Sequence, residues 1–247
     1  MQLALVHTRY QFLEAIRLPI VIVGNMVFPT VILLLFIVPI EEIRASPIAA
    51  TTASAQIAVF AVMSTCLFTF GVGVAEDRAL PWDSYLRTLP AGPGPRLAGR
   101  VLAGMTFALL GLLPVILIAA LLTAATVTPV QFVAGLGVLV AGALPFLLGG
   151  FAIGYSMPSK AAIAVAQVLL LPLAFGGGLL IPPGSFPGWL DALSTWLPTR
   201  GSRDLLVYVV TGEAPRMLAL VALAGWIVVT AVLAGWAYQR DEGRRFR

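Results

Sequence analysis

Residues 176–198 read GGGLLIPPGSFPGWLDALSTWLP. Three consecutive glycines followed by Pro182, Pro183, Pro187 and Pro198 deny this stretch a long continuous helix. Yet Trp189, Leu190, Leu193, Trp196 and Leu197 make it too apolar to stand fully in water. Leu190, Leu193 and Leu197 recur at helical spacing, and tryptophan is a residue that settles at headgroup level. Backbone that leaves the helix at membrane depth has to be covered by protein, because lipid offers it no hydrogen bonds. The stretch is expected to be a broken, re-entrant or interface-lying segment. A structured loop outside the membrane with one membrane-skimming helix is the other reading.

Long apolar runs flank this stretch, and the composition repeats the theme. Of 247 residues, 60% are hydrophobic and 11% charged, against about 25% charged in an ordinary soluble domain. The expected class is an all-α polytopic membrane protein, a single transmembrane domain over 1–247. Its length suits six transmembrane helices of about 20 residues with short connections. The formal net charge of +4 fits loops beside anionic lipid and not a nucleic-acid surface. One cysteine, Cys66, and one histidine, His7, supply neither an internal disulfide nor a metal site. The apolar run starts only near Leu18, which does not read as a secretory signal.

Working outward, residues 1–17 carry Leu5, Phe12, Leu13 and Ile16 on one side. His7, Arg9, Gln11, Glu14 and Arg17 lie largely elsewhere, which suits an amphipathic helix on a membrane surface. Spans are expected at about 18–40, 53–75, 101–124, 130–155, 161–175 and 217–238. Pro29 should kink or locally widen the first, and Pro114 and Pro145 lie inside the third and fourth. The fourth is rich in glycine, which lets helices approach closely. Residues 76–100, EDRALPWDSYLRTLPAGPGPRLAGR, form the longest charged connection. Pro81 and Pro90 bracket a short amphipathic helix there. Residues 199–216 are polar enough to lie outside the hydrocarbon. With six spans, eleven basic residues fall on the side of both termini and four, Arg44, Arg200, Arg203 and Arg216, on the other; together they are the full fifteen. Positive residues favour the cytoplasm, so both termini and residues 76–100 are expected there, and 176–198 outside.

No acidic or basic residue sits centrally in an expected span, which weighs against an ion-coupled carrier. There is no G-x-x-x-x-G-K-[ST] loop and no H-E-x-x-H. Only His7 could serve a hydrolase as base. No catalytic residue and no metal ligand is expected. Ser54, Gln56, Ser64, Thr65 and Thr69 of the second span, Asn25 of the first and Gln167 of the fifth are polar groups for bonds between helices or for lining a path.

Three regions resemble the membrane subunits of the ABC-2 type transporters. These are RYQFLEAIRLPIVIVGNMVFPTVILLLF near the start, GVAEDRALPWDSYLRTLPAGPGPRLAGRVLAG after the second span, and GGGLLIPPGSFPGWLDALSTWLPTRGSRDLL before the last. They stand in the family's order across nearly the whole chain. The resemblance implies a non-catalytic permease of an ATP-driven exporter in a bacterial inner membrane. It implies two copies of a cytoplasmic ABC ATPase, which bind ATP and Mg, and a second permease subunit, identical or related. Docking and coupling would fall to Glu76, Asp77, Arg78, Trp82, Tyr85, Leu86 and Arg87, within 76–100, with the N-terminal helix beside them. Asn25, Gln56, Ser64, Thr65, Thr69 and Gln167 would contribute to the substrate path. Pro182, Pro183, Pro187 and Trp189, in 176–198, would form part of an outer gate. Apolar and hydroxyl groups along the spans favour a hydrophobic or amphipathic cargo, drug-like or lipid-like. Polysaccharide export is the alternative, and a non-transporting scaffold or an ion-coupled carrier the distant ones.

Overall fold

The computed structural model describes residues 8–10, 13, 19–81 and 93–245. Among them every regular element is helical. Five helical stretches are long and apolar enough to cross a membrane: Pro47–Ala79, Leu97–Leu122, Pro129–Ser156, Ser159–Gly176 and Met217–Glu242. Each contains or nearly coincides with a span expected from the sequence. The first expected span appears as helix α1, Pro19–Ile32, running into a π-helical turn, Leu33–Ile37. Its apolar stretch Met26–Ile37 is shorter than the others. Pro29 cannot donate a backbone hydrogen bond and lies inside α1, and the π-helical turn follows one turn after it. The expected amphipathic helix over 1–17 lies mostly outside the described residues, of which 8–10 and 13 are helical.

A short helix, α2 (Glu41–Arg44), leads to α3 (Pro47–Cys66), whose cap is Ser46 accepting from the Ala49 amide. Helix α3 is apolar nearly all round, so no face of it prefers water, and it becomes the centre of the bundle. Phe60, Met63 and Phe70 are fully buried along this span. At Leu67–Val72 the span turns π-helical, then resumes as α4, Gly73–Ala79. The third span is broken where the sequence places Pro114: α5 (Pro93–Leu110) ends before Gly111, and α6 runs over Leu113–Leu122 with the proline in its first turn.

Helix α7, Pro129–Ser156, starts at a capping box. Thr128 accepts from the Gln131 amide and Gln131 accepts from the Thr128 amide. It packs on the π segment of the second span through glycines. A methyl group on Gly154 would stand 2.7 Å from the Gly71 carbonyl oxygen, and one on Gly150 2.9 Å from the Cys66 carbonyl oxygen. Helix α8 covers Ser159–Gly176 and α11 covers Met217–Arg245.

Between them lies the stretch that opened the reading. Gly178, at φ +77°, caps α8 in the left-handed conformation. A side chain on Gly177 would collide with Thr199, so the returning chain passes directly over the glycine run. A 3-10 turn at Pro183–Ser185 and a two-turn helix, α9 (Gly188–Ser194), follow. Helix α10, Pro198–Thr211, then packs against α3, α7 and α11. Its first turns are buried: Thr199, Arg200, Ser202, Arg203 and Asp204 are all under a tenth exposed.

The stretch 199–216, expected outside the hydrocarbon, is covered by protein over its first turns. Within it Tyr208, Gly212, Glu213, Ala214 and Arg216 are exposed. Two features admit so polar a helix. Gly201 lets α10 touch α11, where a methyl would meet the Ala219 carbonyl oxygen at 2.5 Å. Ser202 Oγ donates to the Gly142 carbonyl at 2.9 Å, and Gly142 stands at the midpoint of the 28-residue α7, about 20 Å from either end. The charges of α10 are paired within the protein, as described below.

Candidate functional site

Two polar clusters sit at opposite ends of the bundle. The first grows from the Glu76-Asp77-Arg78 run at the end of α4. Glu76 is exposed. Asp77 accepts a 2.5 Å hydrogen bond from Arg100 of α5. Arg78 turns inward. It donates to the Gly154 carbonyl at 2.5 Å and the Met157 carbonyl at 3.3 Å, at the end of α7, and pairs with Asp241 near the end of α11. Tyr155 lies under its guanidinium at 5.9 Å, and Tyr238 meets Tyr155 edge-on at 5.1 Å. Tyr238 in turn donates to Glu242 at 2.5 Å. One arginine thus ties the second span to the ends of the fourth and the last. Asp241 is buried, and a buried ion pair that loses one partner costs about 3–5 kcal/mol.

Residue 8 reaches the same end, with Thr8 donating to the Gly99 carbonyl at 3.4 Å. Trp82, Tyr85, Leu86 and Arg87, the other expected docking residues, lie outside the described residues.

The polar residues expected along a path do not converge. Gln56, Ser64 and Thr65 are buried inside the chain, Thr69 is half-buried, and Gln167 is exposed on α8. Asn25 falls on α1. Ser64 bonds its own helix at the Ala61 carbonyl, while Gln56 Nε2 and Ser54 Oγ are buried without a partner. Beside Ser54 an apolar crevice of about 160 Å³ opens between α3, α6, α7 and α10, lined by Thr51, Leu112, Val115, Leu139 and Leu206 among others.

At the opposite end, Arg200 donates twice to Asp204 at 3.0 Å and once to Asp191 at 3.2 Å. Arg203 donates to Asp204 at 2.8 Å, and Arg216 to Asp191 at 2.6 Å. The bond from Arg216, joined by the pull of Arg200 and opposed by burial, holds the Asp191 carboxyl below the usual range. Trp226 Nε1 donates to the Trp196 carbonyl at 2.8 Å and pins the end of α9 to α11. Of the expected gate residues, Pro183 is buried, while Pro182, Pro187 and Trp189 are exposed. Among the described residues no group of three or more His, Cys, Asp and Glu side chains could hold a metal.

The family model for the ABC-2 type transporter matches residues 2–211. The chain belongs to the ABC-2 type transporter family. A Bacillus subtilis (strain 168) protein named as a transport permease, YvfS, is 25% identical over 185 residues, covering 74% of this chain and 75% of that protein. Within an ABC-2 transporter the chain is a membrane component; Asp77 and Arg78 of the first cluster and Asp191, Arg200, Arg203 and Asp204 of the second fall in regions that carried the resemblance. Sequence reasoning found Arg78 but missed Asp241, Tyr155 and Tyr238. Nothing in a basic tail, QRDEGRRFR, marks one acid as the partner of an arginine 163 positions away. The Arg200–Asp204 pair was visible as an i,i+4 spacing.

Proposed function

We propose that this chain is the membrane-spanning subunit of an ATP-binding cassette exporter. It moves a hydrophobic or amphipathic compound, drug-like or lipid-like, out of the cytoplasm or the inner leaflet. Energy comes from a separate ATPase present in two copies, and a second permease subunit, identical or related, completes the pathway. The Arg78 end faces the cytoplasm, as the distribution of basic residues favours, in a bacterial inner membrane with both termini inside. Segment 176–198, doubling back beside α10, then forms part of an outer gate with Pro182, Pro183, Pro187 and Trp189.

The observation that carries this reading is the Arg78 cluster. Glu76 is free to meet a partner, while Asp77 and Arg78, next in sequence, are bonded to three other helices. Movement imposed on Glu76 and on Trp82, Tyr85, Leu86 and Arg87 by a closing ATPase pair would reach α5, α7 and α11 together. Rigid elements joined in this way support a two-state rocking or hinge motion. The apolar crevice beside Ser54 supports the choice of cargo, since apolar ligands take apolar linings with few polar groups. Asn25, Gln56, Ser64, Thr65, Thr69 and Gln167 would contribute polar contacts along or beside the path.

The test is transport in proteoliposomes holding this chain and the ATPase encoded beside it. ATP-dependent movement of fluorescent lipids or lipophilic dyes is expected. Movement of a polar glycan alone would overturn the cargo assignment, and movement that ignores ATP but follows an ion gradient would overturn the mechanism.

A further inference from the structure

A cavity of about 380 Å³ lies between the Pro182–Gly184 turn, α10 and the turn that leads into α11. Arg200, Arg203, Asp204, Glu213 and Arg216 are among its lining residues. Its cations are unequally satisfied. Arg200 is held by both Asp204 oxygens and by Asp191, and Arg216 is held by Asp191. Among the described residues Arg203 has only one bond, from Nη1 to the Asp204 oxygen that Arg200 already occupies. Its Nε is buried with no partner, although the residue is only 7% exposed. Glu213 lines the same cavity and has no ion pair among the described residues.

Arg203 lines this cavity and spends an N–H on a carboxylate oxygen that it shares with Arg200, so its remaining terminal N–H donors can receive an oxyanion there. The setting selects among anions. The cavity is at the start of the last span, since α11 begins at Met217. The neighbouring α9 region exposes Trp189, Leu193 and Trp196, residues that suit the headgroup layer. Close to that layer the abundant oxyanion is the phosphate of a phospholipid headgroup, which arginine receives through its N–H donors.

We propose that this cavity binds the phosphate group of an anionic phospholipid, with Arg203 as its principal donor, Arg216 at its rim and Glu213 as a competing carboxylate that has to stay clear. The site stands on this chain alone and does not depend on the exported compound.

The full chain would be purified from nanodiscs containing equal phosphatidylglycerol and phosphatidylcholine, and its retained lipid counted by native mass spectrometry. Wild type is expected to retain phosphatidylglycerol preferentially. Arg203→Gln should lower that preference at least fivefold, and Arg203→Lys less. Glu213→Gln, on an exposed residue that leaves the paired core alone, should raise it about threefold by removing the competitor. That variant decides the matter if Arg203→Gln fails to fold. Equal retention by wild type and Arg203→Gln, or a fall in Glu213→Gln, would overturn the proposal. So would an Arg203-dependent thermal stabilisation by millimolar inorganic phosphate with no preference for phosphatidylglycerol, because the ligand would then be free phosphate.

Discussion

Gly154→Ala tests the close contact between α7 and the second span. The added methyl would lie 2.7 Å from the Gly71 carbonyl oxygen, 2.7 Å from Val74 Cβ and 2.8 Å from the Phe70 carbonyl oxygen. Two of these atoms are backbone in or beside a π-helical turn, so no side chain can rotate away. Relief requires α7 and the second span to separate by roughly 0.5–1 Å, and overpacking of this kind costs about 1–3 kcal/mol. The upper half of that range applies, because the Gly154 carbonyl also accepts from Arg78 and moves with the helix. Alanine's better helix propensity recovers at most about 1 kcal/mol. For a net cost of about 2 kcal/mol, at about 2–4 °C per kcal/mol for a chain of this size, the melting midpoint in nanodiscs should fall by about 4–8 °C. Gly137→Ala is the control: it lies on the same helix, and its methyl would meet nothing within 4 Å. It should leave the midpoint within about 2 °C or raise it. If the two variants melt together, the close packing of α7 on the π segment is not what holds these spans.

Other consequences are simpler to check. Asp241→Asn removes the buried anion facing Arg78 and should destabilise the chain by about 3 kcal/mol, read as a lower midpoint. In the complex it should also weaken the dependence of ATP hydrolysis on this subunit. The folded-state pKa of Asp191 is depressed by Arg216 and Arg200. Its contribution is therefore complete above the ordinary aspartate value of about 3.9 and is lost as pH falls through the lower folded value. The stability gap between wild type and Asp191→Asn should stay constant from pH 7 to about pH 5 and close below about pH 4. Trp226→Phe deletes the bond to the Trp196 carbonyl, worth about 1 kcal/mol. Hydrogen exchange should then quicken around residues 194–198 while the ends of α7 and α11 keep their protection.

The spans were legible because lipid-facing and buried residues are both apolar, so length and hydropathy reveal a crossing helix wherever it packs. The glycine run ending in Gly178 likewise announced its break, whereas Pro114, placed by the sequence inside a continuous third span, lies in the first turn of a separate helix. Helix α10 was not legible as a buried element. Its Arg200, Arg203 and Asp204 look like solvent-facing charges until the pairing with Asp191 and with one another is known. Its close approach depends on Gly201 and Ser202 meeting Ala219 and Gly142, which are far away in sequence. The π segment of the second span gave no sign either, because a widened turn carries no residue pattern of its own. Around Arg78 the sequence marked the charged run but not its direction. The inward turn follows from carbonyls at the end of α7 and from Asp241, groups that only the fold brings together.

The central claim is that this chain is the permease of an ATP-driven exporter, coupled through its Arg78 end. The most direct measurement is ATP hydrolysis by a candidate ABC ATPase, co-purified in mild detergent with and without this chain. The prediction is a stable complex whose hydrolysis requires the chain and is lost when Trp82 and Tyr85 are replaced by glutamate. An ATPase that neither binds the chain nor changes its rate in its presence would contradict the claim.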